Sequence, residues 1–496
     1  MRPRGSVFLS TILLTVLAST FLLSPFLITQ SNDVFAFMAG QAENEFFLLR
    51  AYLCLHVLLF VLFCVWVSRI SRTYLSAPLL LIVSILLWHF SFTVGFFLYG
   101  EGLFGFTGGV FDIGPEQIQA SIAFSGLCIS CAISGIVYSF HYRLTLRSGP
   151  RTRKHLKDLD GSERFSKIVE RVGLLGLGLS ALILIAYQLI EGRARSDVGY
   201  MDLYIQTSGS FIYRLFHSTQ FFAVIFALMA WSRKGNWREA WTVALAVLAL
   251  VGLHFLNGNR SLPFIILVAF VVCYDNFVSR LSFLKLSGIG IALSAVSWIV
   301  SQARGSGVGL HVFSVSEGQE LNLLHFFWEA GRTQGTVIMT MHFVAQEAYR
   351  WGASFLQSTL ETIPMTSNVI RSYVHIDRPS EWLLAKVATV NEGQGFGYSL
   401  VAEAFLNFGY LGCLLFFFLG AFVGRNYFGF LRTGSRYMYL MATSVAVMLS
   451  LHMRNDSGSS LRTLIISFMM FAVLHRMSLG ERPKRISDAG ENSFSH

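Results

Sequence analysis

Three polar side chains recur at every fourth position in an otherwise apolar segment of this 496-residue chain. They are Ser399, Glu403 and Asn407, and apolar residues and glycines surround them. Residues four positions apart lie on one face of an α-helix, so the spacing predicts a polar stripe with a carboxylate at its middle. A carboxylate in that position can act as a general base toward a hydroxyl group. The alternative is structural: Glu403 would pair with an arginine or hold two helices together by a hydrogen bond.

A second candidate for the general base is a histidine in the long segment that precedes this stripe. His325 is followed by Glu329 one helical turn later. The two side chains could instead bind a metal ion, but two ligands alone do not define a metal site.

Arginine dominates the cations that lie outside the short basic loops of the chain. Its guanidinium group is planar, permanently charged and able to bind two oxygens of a phosphate at once. The pattern predicts a site for an anionic group, and a lipid diphosphate fits. For any single arginine the alternative is an ordinary salt bridge to a nearby acid. The candidate diphosphate-binding residues are Arg193, Arg195, Arg260, Arg304, Arg378, Arg454 and Arg462.

Arg260 is the most informative of these cations. It belongs to the turn Gly258-Asn259-Arg260-Ser261, which joins two apolar runs with almost no loop between them. A charge near membrane depth is costly and tends to be functional. The alternative is a side chain that extends to the lipid headgroups. Arg454 and Arg462 lie in another short polar turn, residues 453–462.

The composition requires lipid as the solvent of most of the chain. Hydrophobic residues make up 54% and charged residues 13%, whereas soluble domains carry roughly 25% charged residues. Gly420 and Gly424 have the small-xxx-small spacing that lets two membrane helices approach closely. A span needs about 20 apolar residues. Candidate spans lie near 6–28, 46–68, 74–99, 117–140, 168–190, 211–231, 240–257, 262–279, 284–302, 397–424, 437–452 and 461–477.

The distribution of Lys and Arg predicts how these twelve spans are oriented. Every short loop assigned to the cytoplasm is basic when the N-terminus is placed inside, and this agrees with the positive-inside rule. Both termini are therefore predicted to be cytoplasmic, and the net charge of +10 is interpreted as topological rather than as nucleic-acid binding. The predicted divisions are transmembrane helices 1–9 (1–302), a large late periplasmic region with short helices (303–396), transmembrane helices 10–12 (397–477) and a cytoplasmic tail (478–496).

The late half of the chain resembles the bacterial oligosaccharide repeat-unit polymerases, the Wzy-type O-antigen or exopolysaccharide polymerases. The resemblance rests on the Gly-Asn-Arg-Ser turn at 258–261, on the segment from Ala402 to Gly409, and on the large late outer region. It covers roughly 250–475, and it implies an all-α polytopic membrane protein of the GT-C-like type.

The resemblance implies a glycosyltransferase of the bacterial inner membrane. Such an enzyme moves a growing glycan from undecaprenyl diphosphate to the sugar of another lipid-linked unit, and it needs no nucleotide sugar. A chain-length regulator and a flippase are the implied protein partners. The outer segments lack a paired-carboxylate metal motif, so arginines are expected to stabilise the leaving diphosphate, with no metal or other cofactor. The alternatives are a lipid-linked oligosaccharide ligase and a precursor flippase or transporter.

Overall fold

The computed structural model describes the helical framework of the chain. The described residues are 4–29, 45–71, 73–91, 115–145, 244–252, 261–277, 279–302, 331, 333–361, 377–387, 398–453 and 457–479, with a few more between 168 and 182. Within these ranges every regular element is a helix, as the all-α prediction requires. The α-helices are α1 (Arg4–Thr29), α2 (Glu45–Ser71), α3 (Ala77–Ile85), α4 (Pro115–Thr145), α5 (Ser261–Phe277), α6 (Phe283–Gln302), α7 (Thr333–Val344), α8 (Ala353–Leu360), α9 (Pro379–Val387), α10 (Leu400–Phe408), α11 (Cys413–Thr433), α12 (Arg436–His452) and α13 (Ser457–Leu479).

Several of these helices have the length and composition of membrane spans. Three segments of the described chain are long and apolar enough to cross a bilayer, namely Ala51–Ser71, Gln117–Tyr142 and Leu400–Thr433. Shorter apolar helices are Ile12–Ser24, Ala77–Phe90 and Ile266–Asn276. The full twelve-span path and its orientation stay predictions, and the predicted span at 211–231 lies outside the described residues.

Helices α4 and α11 pack closely against each other. A Cβ atom added at Gly420 would collide with the carbonyl oxygen of Ala132, and one added at Gly424 would lie 3.0 Å from the Cα of Ile136. The backbones of the two helices therefore approach closely at Gly420, which confirms the close packing predicted from the small-xxx-small spacing.

The segment predicted as one span at 397–424 consists of two helices with a break between them. Gly409 has a φ of +56°, in the left-handed region that favours glycine, and a 3-10 turn (Gly409–Gly412) follows it. A Cβ atom at Gly412 would collide with the carbonyl oxygen of Ala404, although eight residues of a continuous helix would separate the two by about 12 Å. The chain therefore bends back, and Glu403 lies on a short helix of nine residues.

The predicted region 303–396 contains short helices in its described part, as expected. One of them, α7, is packed among α4 and α10 and has mostly buried side chains. The Gln334 amide donates to Ser121 Oγ at 3.0 Å and accepts from Ser125 Oγ at 2.9 Å. These bonds satisfy a buried amide inside an apolar bundle, where an unpaired polar group is expensive. Part of this region thus belongs to the core.

Candidate functional site

The carboxylate of Glu403 is the centre of a buried polar cluster. Its side chain has no exposed surface, and it accepts three hydrogen bonds. Ser354 Oγ and Ser457 Oγ each donate to Oε1 at 2.6 Å, and the backbone N–H of Ser457 donates to Oε2 at 2.6 Å. A single carboxylate therefore joins α8, α10 and the first residue of α13. A negative charge at a helix N-terminus is also favoured by the helix dipole.

Asn407 extends this cluster one turn further along α10. Its Oδ1 accepts the backbone N–H groups of Gly352 and Ser354 at 3.0 and 3.4 Å, and its Nδ2 donates to Ser354 Oγ at 2.7 Å. The N-cap of α8 is Gly352, which has no side chain, so Asn407 satisfies the first N–H groups of α8 from the neighbouring helix. The predicted stripe is thus confirmed for Glu403 and Asn407, whose side chains meet at Ser354.

Ser399 has a different role from the one its spacing predicted. It is the N-cap of α10, where its hydroxyl accepts the N–H groups of Val401 and Ala402 at 3.1 and 3.3 Å. The same oxygen lies 2.8 Å from Nε2 of His89, a buried histidine in a π-helical turn at 86–90. The stripe begins with a helix cap because the chain at Ser399 is extended rather than helical.

The turn that precedes α8 is hydrogen-bonded to the end of α10. Backbone N–H groups of Arg350 and Trp351 donate to the carbonyls of Leu406 and Asn407 at 3.0 and 2.9 Å. Trp351 has a φ of +49°, a conformation that bulky residues rarely adopt, and Gly352 has a φ of +87°. The turn therefore fixes where α8 begins relative to Glu403.

Arg378 forms an ion pair at the other end of α8. Its Nε donates to Glu361 Oε2 at 3.0 Å, and its Nη2 donates to the same oxygen. The Glu361 side chain is 1% exposed, whereas that of Arg378 is 30% exposed. Gln357 Nε2 donates to the other carboxylate oxygen at 3.1 Å. The salt-bridge alternative for a single arginine is therefore observed at Arg378, with part of the side chain still facing outward.

One buried face of α8 connects these two charged groups. Ser354, Ser358 and Glu361 are all buried on this face. Ser354 contacts Glu403, and Glu361 contacts Arg378. Seven residues separate the two contacts, which corresponds to about 10 Å along a helix axis. The structure thereby brings together a predicted general base and a predicted diphosphate-binding arginine.

A known protein family matches almost the whole length of the chain. The family described as O-antigen polysaccharide polymerase Wzy matches residues 11–477. The chain belongs to this family. No curated protein and no solved structure matches the chain. The Wzy family polymerises O-antigen repeat units and acts on lipid-linked oligosaccharides in membranes.

Two members of the predicted set of site residues, Glu403 and Arg378, have described side chains. Arg462 lies in α13, five residues after Ser457, and only its backbone is described. The structure describes no group of three metal-ligating side chains in the residues that it covers. The other predicted site residues lie outside the described residues: Arg193, Arg195, Arg260, Arg304, Arg454 and His325.

Sequence reasoning missed the residues that hold Glu403 in place. Ser354 and Ser457 are 49 and 54 residues away in the chain, and His89, which contacts Ser399, is 310 residues from it. The four-residue spacing of Ser354 and Ser358 was a usable signal, because it places two hydroxyls on one helix face. Nothing in the local sequence of His89 indicates that it contacts Ser399.

Proposed function

We propose that this protein polymerises oligosaccharide repeat units carried on undecaprenyl diphosphate, at the periplasmic face of the bacterial inner membrane. The growing glycan moves from its lipid diphosphate to a sugar hydroxyl of another lipid-linked unit. A bond forms between the acceptor oxygen and the anomeric carbon, while the bond from that carbon to the diphosphate breaks and its electrons go to the leaving group. The reaction needs a group that takes the hydroxyl proton and cations that stabilise the departing diphosphate.

The observation that supports this proposal most strongly is the arrangement along α8. The Glu403 cluster and the Glu361–Arg378 pair are two helical turns apart on one buried face. A reacting anomeric carbon is bonded to the diphosphate and approached by the acceptor, so base and cation must lie within about this distance. The spacing on α8 therefore suits a glycosyl transfer between two bound lipid-linked substrates.

Arginines are proposed to bind the diphosphate. A guanidinium has five N–H donors, so one that already binds a carboxylate can also bind a phosphate oxygen. Arg378 can therefore keep its ion pair with Glu361 and still bind a phosphate oxygen of the substrate. The proposed set is Arg193, Arg195, Arg260, Arg304, Arg378, Arg454 and Arg462.

Glu403 is the proposed general base, and His325 is the alternative. The carboxylate of Glu403 accepts three hydrogen bonds and is fully buried. A buried carboxylate is shielded from bulk water, which strengthens its electrostatic interactions. Its burial also means that a substrate hydroxyl must reach it through another group or after a rearrangement of α8.

The cellular setting follows from the same proposal. Both termini face the cytoplasm, and 303–396 faces the periplasm together with the substrate. A flippase supplies lipid-linked units to that side, and a chain-length regulator acts on the product. Neither a metal ion nor another cofactor is required.

A reconstituted elongation assay tests the proposal. Purified protein in lipid vesicles is given synthetic undecaprenyl-diphosphate-linked repeat units in the presence of a chelator, and product length is followed by gel. We expect elongation without added metal, and we expect Arg260→Ala, Arg304→Ala and Glu403→Gln each to abolish long chains while the protein stays in the membrane. Wild-type chain lengths from all three variants would refute the assigned site. Transport of intact units without elongation would instead favour the flippase alternative.

A further inference from the structure

We propose that the exposed indole ring of Trp351 binds a sugar ring of the acceptor, next to the sugar whose hydroxyl reacts at Glu403. The inference rests on the proposed function, because it assumes that Glu403 takes the proton of that hydroxyl. The ligand is a carbohydrate ring, whose C–H groups form an apolar face that can pack on an aromatic side chain.

Trp351 projects from the turn between α7 and α8. Its relative exposure is 74%, whereas the other tryptophans whose side chains the structure describes are buried, namely Trp66, Trp88 and Trp382. A ring this exposed contributes little to the packing of the bundle. Its outer face is therefore free to bind a ligand.

The backbone at Trp351 is held in a conformation that bulky residues rarely adopt. Its φ is +49°, and its N–H donates to the carbonyl of Asn407 at 2.9 Å. Glycine would adopt this φ without the steric cost that a Cβ atom brings. Strain that persists at a bulky, exposed side chain suggests that the side chain itself has a function.

Two further aromatic rings extend the surface beside Trp351. The Tyr349 ring is 38% exposed and meets the Trp351 ring edge-on, with 6.2 Å between the centroids. Tyr349 also packs on Gly409, where an added Cβ atom would lie 2.9 Å from its ring. Tyr410 is 36% exposed, and Phe405 lies between it and Tyr349. The aromatic surface thus lies at the bend that follows α10, the helix of Glu403.

Arg350 supplies oriented hydrogen-bond donors next to this surface. Its guanidinium lies 5.3 Å from the centroid of the Trp382 ring, and its Nη1 donates to the carbonyl of Asp377 at 2.7 Å. In the described part of the chain this bond uses one of five N–H groups, so the others can bind sugar hydroxyls. An aromatic ring beside such donors suits a carbohydrate, which has apolar faces and polar edges. A lipid tail would use only the ring.

The position of Trp351 relative to Glu403 suits neighbouring sugars of one glycan. Asn407, which accepts the N–H of Trp351, follows Glu403 by four residues on α10. Four residues correspond to about 6 Å along a helix axis. Trp351 also precedes Ser354, which donates to the Glu403 carboxylate at 2.6 Å. A reacting sugar beside Glu403 would therefore place its neighbour near the Trp351 ring.

Three variants separate the ring from the turn that carries it. Trp351→Gly removes the ring and relieves the backbone, so the melting temperature should stay the same or rise. Trp351→Phe keeps an aromatic face. Tyr138→Ala is the matched control, because Tyr138 is 57% exposed on α4 and its ring contacts Tyr142 and Phe417 instead.

The kinetic test varies the concentration of a single-unit acceptor at a saturating concentration of a long-chain lipid-linked donor, with the protein in vesicles. Trp351→Gly should raise the acceptor KM about 3- to 10-fold, as expected for the loss of one stacked aromatic contact, with little change in kcat. Trp351→Phe should restore most of the affinity, and Tyr138→Ala should behave as the wild type.

A binding measurement without turnover complements the kinetics. A lipid-free repeat-unit oligosaccharide is added to the protein in nanodiscs, and saturation-transfer NMR detects sugar protons that contact the protein. We expect a signal with the wild type, Glu403→Gln and Tyr138→Ala, and a much weaker one with Trp351→Gly.

The outcomes separate this inference from the proposed function. An unchanged acceptor KM in Trp351→Gly would overturn the sugar site and leave the polymerase function standing. A lower melting temperature of Trp351→Gly in vesicles, with unchanged sugar binding, would overturn it in favour of a ring that anchors the protein at the lipid surface. Ring-dependent sugar binding by a wild type that does not elongate would overturn the proposed function and, with it, the acceptor role of the bound sugar.

Discussion

Two buried carboxylates in this protein differ in the groups that surround them. Glu403 accepts two serine hydroxyls and one backbone N–H. Asp275 is 3% exposed, and it accepts the backbone N–H groups of Leu281 at 2.7 Å and of Leu75 at 3.2 Å. Both are satisfied, as buried carboxylates must be.

The two carboxylates also lie far apart. Leu75, which donates to Asp275, precedes α3 by two residues, and His89, beside the N-cap of α10, lies in the π-helical turn that follows α3. The twelve residues from Ala77 to His89 correspond to about 18 Å along a helix axis. Asp275 therefore belongs to the other end of this helical segment from the Glu403 cluster.

The difference in donors indicates a difference in role. The amide donors around Asp275 hold two turns in place and cannot pass a proton on. The hydroxyl donors around Glu403 can, and one of them, Ser354, lies on the same buried face of α8 as Glu361, which pairs with the partly exposed Arg378. The same residue type is thus interpreted as structural in one place and as chemical in the other.

The largest expected effect is the loss of elongation in Glu403→Gln. The amide can no longer take a proton, so the single-turnover rate should fall about 100-fold or more. Elongation per folded molecule, measured with synthetic lipid-linked units, checks this. A rate within a few-fold of wild type would show that Glu403, like Asp275, has only a structural role.

Arg378→Ala should lower the stability, because it removes the cation that pairs with the buried Glu361. We expect roughly 2 kcal/mol, less than for a pair buried on both sides, since Arg378 is partly exposed. The double variant Arg378→Ala with Glu361→Gln should recover most of the stability and little of the activity. Thermal unfolding in detergent measures the first quantity and elongation the second. Recovery of both would show that Arg378 has no role beyond the ion pair.

Asp275→Asn is the matched counterpart of Glu403→Gln. In each variant one carboxylate oxygen that accepts hydrogen bonds becomes an amide NH2 that cannot accept them, so both should lose about 1–3 kcal/mol. Asp275→Asn should nevertheless elongate at the wild-type rate per folded molecule. A loss of rate comparable with that of Glu403→Gln would remove the distinction between the two carboxylates.

The smallest expected effect belongs to the exposed pair of Lys386 and Glu347, whose charged atoms lie 2.5 Å apart. The hydrogen bond from Lys386 lowers the pKa of Glu347 below its usual value of 4.5. A lowered carboxylate pKa stabilises the fold above about pH 4.5, and this stabilisation is lost as the pH falls through the folded-state pKa. Both side chains are 40% exposed, so Lys386→Ala should cost no more than about 0.5 kcal/mol at neutral pH. The difference in melting temperature between Lys386→Ala and the wild type should be largest at neutral pH and should shrink as the pH is lowered below about 4.5.

The sequence predicted the helices better than the contacts between them. Apolar runs such as 46–68 and 437–452 coincide with α2 and α12 because hydropathy is a local property. The break at Gly409 was missed, since the apolar pattern continues through it and only the backbone conformation reveals the turn.

The candidate site was predictable only in part. The spacing of Glu403 and Asn407 indicated a shared helix face, and the structure confirms it. Their partners Ser354 and Ser457 come from distant segments, and a single serine in an apolar sequence carries no signal of what it contacts. The pairing of Arg378 with Glu361 likewise depends on how α8 and α9 fold together.

Photo-crosslinking tests most directly where the glycan binds. An undecaprenyl-diphosphate-linked repeat unit with a photoreactive diazirine on its acceptor sugar is bound to the Glu403→Gln variant, irradiated and mapped by mass spectrometry. We predict adducts within 353–361 or 457–462, beside the Glu403 cluster. Adducts confined to 73–76 and 279–282, beside Asp275, would contradict the assignment of the site to Glu403.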